Sequence, residues 1–184
     1  MSPCYKITDK TMAILPVGSP KNTSKVFESD QKKTLTFKEM PLSIIEKNCL
    51  RYFSSYNGRR AAVLYHEPNY KMKTPIPISS TKGIIAFPTQ GPSRIDCAWI
   101  FYNHVAKIVK REGGSAVIFK NGTELFQPVS KNTLFGQLVR CHNLGHMIES
   151  SEESESPLSA NLLDLQEESM TIRIGKNPVI SSKK

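Results

Sequence analysis

Residues 105–129 read VAKIVKREGGSAVIFKNGTELFQPV, and their reading decides the fold class. Three short runs rich in β-branched and aromatic residues, Val105–Val109, Ala116–Phe119 and Thr123–Val129, are divided by Gly113-Gly114 and by Asn121-Gly122. Both pairs tolerate the positive φ that a two-residue hairpin requires. Connections this short join only antiparallel neighbours, since parallel strands need a crossover of a dozen or more residues. The stretch therefore predicts a three-stranded antiparallel meander.

Downstream, Ser130 can cap a helix running from about Lys131 to Leu144. Leu134, Leu138 and Cys141 supply its apolar stripe, Phe135 and Val139 widen it, and Gly145 is its stop signal. Upstream, Ile84–Phe87 reads as one buried strand. Pro68, Pro75, Pro77, Pro88 and Pro92 forbid a long helix around it, so the rest of that stretch reads as extended loop. Pro41 opens a second helix, with Leu42, Ile45, Cys49 and Phe53 on one face and an end near Ser54–Ser55. Gly58 then marks a turn or a close backbone approach. Residues 4–38 read as short strands: Tyr5 and Ile7, Met12–Leu15, Val26-Phe27 and Leu35–Phe37. The sum is an α+β chain, an antiparallel β-rich single domain with two main helices and a partly flexible acidic C-terminal tail.

The tail is set off by charge. Residues 1–148 hold 21 Lys/Arg against 9 Asp/Glu, a net +12, while residues 149–184 hold 4 against 7, a net −3. The expected division is a basic domain over 1–148 and an acidic linker with a regulatory or interaction segment over 149–184. Glu149–Pro157 is acidic and serine-rich, as flexible linkers are. Leu158–Gln166 reads as a short amphipathic helix or docking peptide, and Met170–Ile174 as a strand.

Several function classes find no support. No apolar run approaches the roughly 20 residues of a membrane-spanning helix, and the N-terminus lacks the apolar stretch of a secretory signal. The expected location is the cytoplasm, with no membrane partner. Cys4, Cys49, Cys97 and Cys141 are scattered singly, without a C-x-x-C pair, and read as small, mostly buried thiols. There is no G-x-S-x-G elbow, no G-x-G-x-x-G fingerprint and no P-loop. Asp96, Cys97 and His104 are too weak a set to make a catalytic triad. His142 and His146 have the i, i+4 spacing of a metal-binding pair, but Gly145 is expected to interrupt the helix there, so they read as a solvated helix end. The reading is of a non-enzymatic protein with no catalytic residues, no metal and no cofactor.

A basic body and an acidic tail favour a polyanionic partner. The block Asn48–Arg60 sharpens this. Ser54, Ser55 and Tyr56 can donate to phosphate oxygens, Asn57 adds an amide, Gly58 lets a backbone approach closely, and Arg59 and Arg60 neutralise charge. Lys71, Lys73, Lys82, Arg94 and Lys107 extend the candidate DNA-binding set, mostly from loops. No helix-turn-helix, zinc finger, RNP motif or basic zipper is visible. Arginines on loops suit the narrow minor groove of A/T-rich DNA.

The segment Cys49–Ala61, with Pro75-Ile76-Pro77-Ile78, Phe87-Pro88-Thr89, Ser93-Arg94, Cys97-Ala98-Trp99-Ile100 and His104-Val105, resembles the ComK family of competence transcription factors from Gram-positive bacteria. The resemblance runs in register over about residues 40–135. It implies a cofactor-free activator of DNA-uptake genes that binds paired A/T-rich promoter boxes as a dimer through the minor groove. It also implies an adaptor that delivers the protein to a Clp-type protease. The Ser-Ser-Tyr-x-Gly-Arg-Arg pattern carries over to Ser54, Ser55, Tyr56, Gly58, Arg59 and Arg60, and the Ser-Arg pair to Arg94. The chain departs from the family pattern at Phe53, where a small residue, usually glycine, is expected, at Ala62, and after Met147. An alternative is a divergent protein-interaction module that modulates an active paralogue or its adaptor.

Overall fold

The meander forms as its turn residues dictate. Strands β7 (Val105–Arg111), β8 (Gly114–Phe119) and β9 (Glu124–Gln127) make a three-stranded sheet in that order, antiparallel throughout. Gly113 and Gly122 hold φ of 70° and 85°, in the left-handed region that disfavours a β-carbon. Gly114 is needed for a different reason: a β-carbon there would lie 2.2 Å from the Gln127 carbonyl oxygen. The computed structural model describes residues 4–18 and 23–153 of the chain.

The larger sheet has six strands in the order β3-β2-β1-β6-β5-β4, every neighbouring pair antiparallel. They are β1 (Thr11–Pro16), β2 (Ser24–Glu28), β3 (Leu35–Phe37), β4 (Ile76–Ser79), β5 (Ile84–Pro88) and β6 (Trp99–Phe101). Strands β4, β5 and β6 are buried at every residue, which explains why Ile84–Phe87 of β5 reads as an unbroken apolar run rather than an alternating one. Strand β4 replaces the expected loop. Pro77 is accommodated because β4 ends the sheet, where its missing N–H breaks no ladder. Residues 4–8 bury Tyr5 and Ile7 without forming the expected strand. Their backbone groups go instead to Asn48, which accepts from Ile7 N at 2.9 Å and donates to the Tyr5 carbonyl at 2.8 Å.

Three helices accompany the sheets. Helix α1 (Pro41–Arg51) buries Ile44, Ile45, Asn48 and Cys49. Ile44, Ile45 and Cys49 join a core with Ile14, Val26, Ile76, Ile78, Trp99 and Phe101 from the sheet. The helix stops before the expected Ser54–Ser55, and Phe53 does not extend its stripe: its side chain is wholly exposed. The reason is a helix-ending turn at Tyr52–Ser54. Ser54 N donates to the Cys49 carbonyl (3.2 Å) and Phe53 N to the Leu50 carbonyl (3.0 Å), with Phe53 at φ 60°. This is the Schellman arrangement, in which a left-handed residue reverses the chain and satisfies the last carbonyls.

Helix α2 (Tyr56–His66) follows at once, in a stretch expected to be a turn. Only Val63 of α2 is buried, so no apolar periodicity announces it. Helix α3 (Lys131–Glu153) starts as expected, with Ser130 Oγ accepting from Thr133 N at 3.2 Å. It does not stop at Gly145. A β-carbon there would meet Ile85 Cδ1 at 3.8 Å, so the backbone lies close to β5, and packing outweighs the roughly 1 kcal/mol that glycine costs in a helix. The first acidic residues, Glu149–Glu153, continue α3 rather than form the expected linker. Leu158–Gln166 and Met170–Ile174 lie outside the described residues.

Candidate nucleic-acid interface

The block that carries the phosphate-binding reading is the α1–α2 junction. Ser55 is the N-cap of α2, its Oγ accepting from Gly58 N at 2.9 Å, and the Ser55 carbonyl takes Arg59 N at 3.0 Å. Tyr56 and Asn57, the first two helical residues, have N–H groups with no intrahelical acceptor by construction. Gly58 sits inside the helix rather than in a turn. A β-carbon on it would stand 3.1 Å from Ser55 Oγ and 3.3 Å from Ser54 Oγ, so glycine leaves room for both hydroxyls. Ser54, Ser55 and Gly58 thus share one small surface, with Asn57 exposed beside it.

Tyr56 faces the other way. Its ring is half-buried edge-on against Trp99 (6.2 Å between centroids, 85° between planes), and burial pushes its hydroxyl pKa up to about 12. It anchors the helix start to β6 and stays neutral.

The two arginines differ. Arg59 is half-buried and donates from Nη2 to the Tyr52 carbonyl at 2.6 Å, tying α2 back to the end of α1. Arg60 is more loosely held, by one 3.2 Å bond to the Lys71 carbonyl. Lys82 lies over the Tyr52 ring at 5.7 Å. Arg59 and Lys82 thus both meet Tyr52, and Arg60 meets the backbone of the loop after α2 at Lys71. The carboxylates of the described ion pairs engage Lys10, Lys47, Arg94 and Arg111 and none of these four. No acidic residue occupies the first turn of α2, the place where a carboxylate would ordinarily complement the positive helix end.

Other members of the set lie apart from this cluster or are engaged elsewhere. Arg94 grips Asp96 with two 2.8 Å bonds, which hold the aspartate carboxyl below its ordinary pKa range. Lys73 has φ 53°, and its carbonyl accepts from Gln137 of α3 at 2.8 Å. Lys107 is exposed on β7, in the other sheet. Sequence reading misses Arg140, which spans from α3 to the same loop. It donates to the Met72 carbonyl at 2.8 Å and stacks 4.9 Å from the Tyr70 ring. Its position on the polar side of a helix far along the chain carries no signal for that bond.

Asp96, Cys97 and His104 take separate partners: Arg94, the Gln90 and Ala98 carbonyls, and the Asp9 carbonyl.

The family described as ComK protein matches residues 3–153. The chain belongs to the ComK family. One relative of this ComK-family chain is the competence transcription factor of Bacillus subtilis (strain 168). It is 33% identical over 138 residues, covering 74% of this chain and 70% of the relative. No solved structure matches. The match spans the α1–α2 junction, both sheets and α3, so the candidate interface lies within the shared ComK region. No helix among the described residues is long and apolar enough to cross a membrane.

Proposed function

We propose that this ComK-family protein is a cytoplasmic transcription regulator, an activator of competence genes for DNA uptake, and that it binds A/T-rich promoter DNA through the minor groove. The start of α2, with Ser54, Ser55, Asn57, Gly58, Arg60 and Lys71, is the phosphate-gripping element of that interface. The observation that carries this reading is electrostatic. Arg59 and Arg60 enter the positive end of α2 with no carboxylate in the first turn, an arrangement that is unfavourable alone and favourable once a phosphate sits there. Arg59 supports the site from behind through Tyr52. Lys82, over the Tyr52 ring, borders it, while Lys73, Arg94 and Lys107 touch DNA only secondarily.

The wider reading follows the family. The protein works without a cofactor, pairs with a second copy on two adjacent boxes, and is handed by an adaptor to a Clp-type protease. Residues 1–148 act as the DNA-binding domain and 149–184 as the regulatory segment.

The test is fluorescence anisotropy on A/T-rich and G/C-rich duplexes across a salt series. The log of affinity is expected to fall linearly with log salt. Arg60→Ala with Lys71→Ala is expected to flatten that slope by about 0.9 for each phosphate left without its cation. A minor-groove ligand is expected to compete. Wild-type affinity and slope in the double variant, with its melting curve unchanged, overturn the assignment.

A further inference from the structure

His142 and His146 lie four residues apart on α3, and the helix runs unbroken through Gly145 between them. Both side chains are exposed on one face. Their Nε2 atoms are 3.2 Å apart. The rings stand nearly perpendicular, at 88°, with centroids 4.5 Å apart. The centroids are farther apart than the nitrogens, so the Nε2 edges are the ones that face each other.

Beside them, Tyr102 in the turn between β6 and β7 places its hydroxyl 2.9 Å from His142 Nδ1. A histidine that donates from Nδ1 to an oxygen keeps its Nε2 lone pair for a Lewis acid. Metal-binding histidines are oriented in just this way by a partner on the second ring nitrogen.

We propose that His142 and His146 form a two-histidine chelate for a divalent transition-metal ion of the Zn2+ class, with Tyr102 as the positioning residue for His142. An ion about 2.0–2.1 Å from each nitrogen, the usual Zn–N distance, would subtend an angle of roughly 100–105° over the observed 3.2 Å gap. That value lies near the tetrahedral angle, so the pair closes on the ion with little side-chain movement. Neutral imidazole is a ligand of choice for Zn2+, Cu2+ and Ni2+, whereas Mg2+ and Ca2+ prefer oxygen donors. Binding moves no electrons. Both Nε2 atoms offer lone pairs, the ring protons reside on Nδ1, and His142 Nδ1–H donates to Tyr102 Oη. Water or an incoming donor fills the remaining positions. A bound ion would staple two successive turns of α3 and link that helix, through Tyr102, to the connection between the two sheets.

The test is equilibrium dialysis and titration calorimetry of the full chain with Zn2+ alone, near neutral pH in a thiol-free reductant. Wild type is expected to take up one Zn2+ that the His142→Ala/His146→Ala variant does not. Both positions are exposed, so that variant is expected to fold normally, which circular dichroism checks; His142→Gln/His146→Gln is the second variant. Tyr102→Phe is expected to weaken uptake about 10- to 100-fold, as loss of an orienting partner does. Zn2+ is expected to raise the melting temperature of wild type and leave that of the histidine variants unchanged. Equal uptake by wild type and either double variant, or no saturable uptake by wild type, overturns the site. Equal affinity in Tyr102→Phe overturns the positioning role. Neither result bears on the DNA-binding reading, whose residues are elsewhere.

Discussion

Phe53 occupies a place made for glycine. It holds φ 60° with its ring wholly in solvent, so the side chain brings strain without burial. A β-carbon in the left-handed region costs roughly 1–2 kcal/mol, partly offset by the greater chain entropy that glycine loses on folding. Phe53→Gly is therefore expected to stabilise the protein by up to about 1 kcal/mol in urea unfolding. Asn48 is the opposite case, a polar side chain buried completely with all its groups engaged. It bonds to Ile7 N and to the Tyr5 and Ile44 carbonyls. Asn48→Leu leaves those groups buried and unpaired at about 1–3 kcal/mol each, and is expected to cost about 3 kcal/mol in the same assay.

His104 gives a pH dependence. Burial lowers its pKa below the ordinary 6.5, with Lys120 adding to the shift and the bond to the Asp9 carbonyl opposing it. The folded state thus prefers neutral imidazole, and the unfolded chain binds the proton more readily. This contribution to stability is complete above pH ~6.5 and is lost as pH falls below that value. His104→Gln is expected to flatten the melting-temperature profile between about pH 7 and 5. An unchanged slope would place the acid sensitivity elsewhere.

At the level of elements, legibility follows the strength of local signals. The β7–β9 meander and the start of α3 can be read because turn glycines and a serine cap act within a few residues. Strand β4 cannot, because Pro77 within it and Pro75 just before it argue against a strand until the sheet order puts it at an edge. Helix α2 stays hidden because it buries one residue, while Gly58 reads as a turn. The residues Ser54–Arg60 stand out in the sequence as a group, but as a loop rather than a helix start. Only the three-dimensional fold separates Arg59, which braces Tyr52, from Arg60, which reaches the loop after α2. Two element-scale substitutions test this account. Ser55→Ala removes the α2 cap and is expected to cost about 1 kcal/mol. Gly114→Ala drives a β-carbon against the Gln127 carbonyl and is expected to cost about 3 kcal/mol, at the upper end of overpacking effects. Thermal or urea unfolding of each variant reads both values.

Over the whole molecule, the sequence marks the cationic body but not where its charges meet. Arg94 looks equivalent to Arg60 along the chain, yet Asp96 two residues on engages its guanidinium. Arg140, unremarkable in sequence, reaches the loop after α2 across a gap of 68 residues. The Pro75/Pro77 pair at the β4 border of the large sheet bears on assembly. Alternate residues of a strand aim their N–H groups the same way, so both prolines remove a donor from the side an added strand would need. A second copy could not zip onto that border to build a continuous intermolecular sheet or a growing fibril.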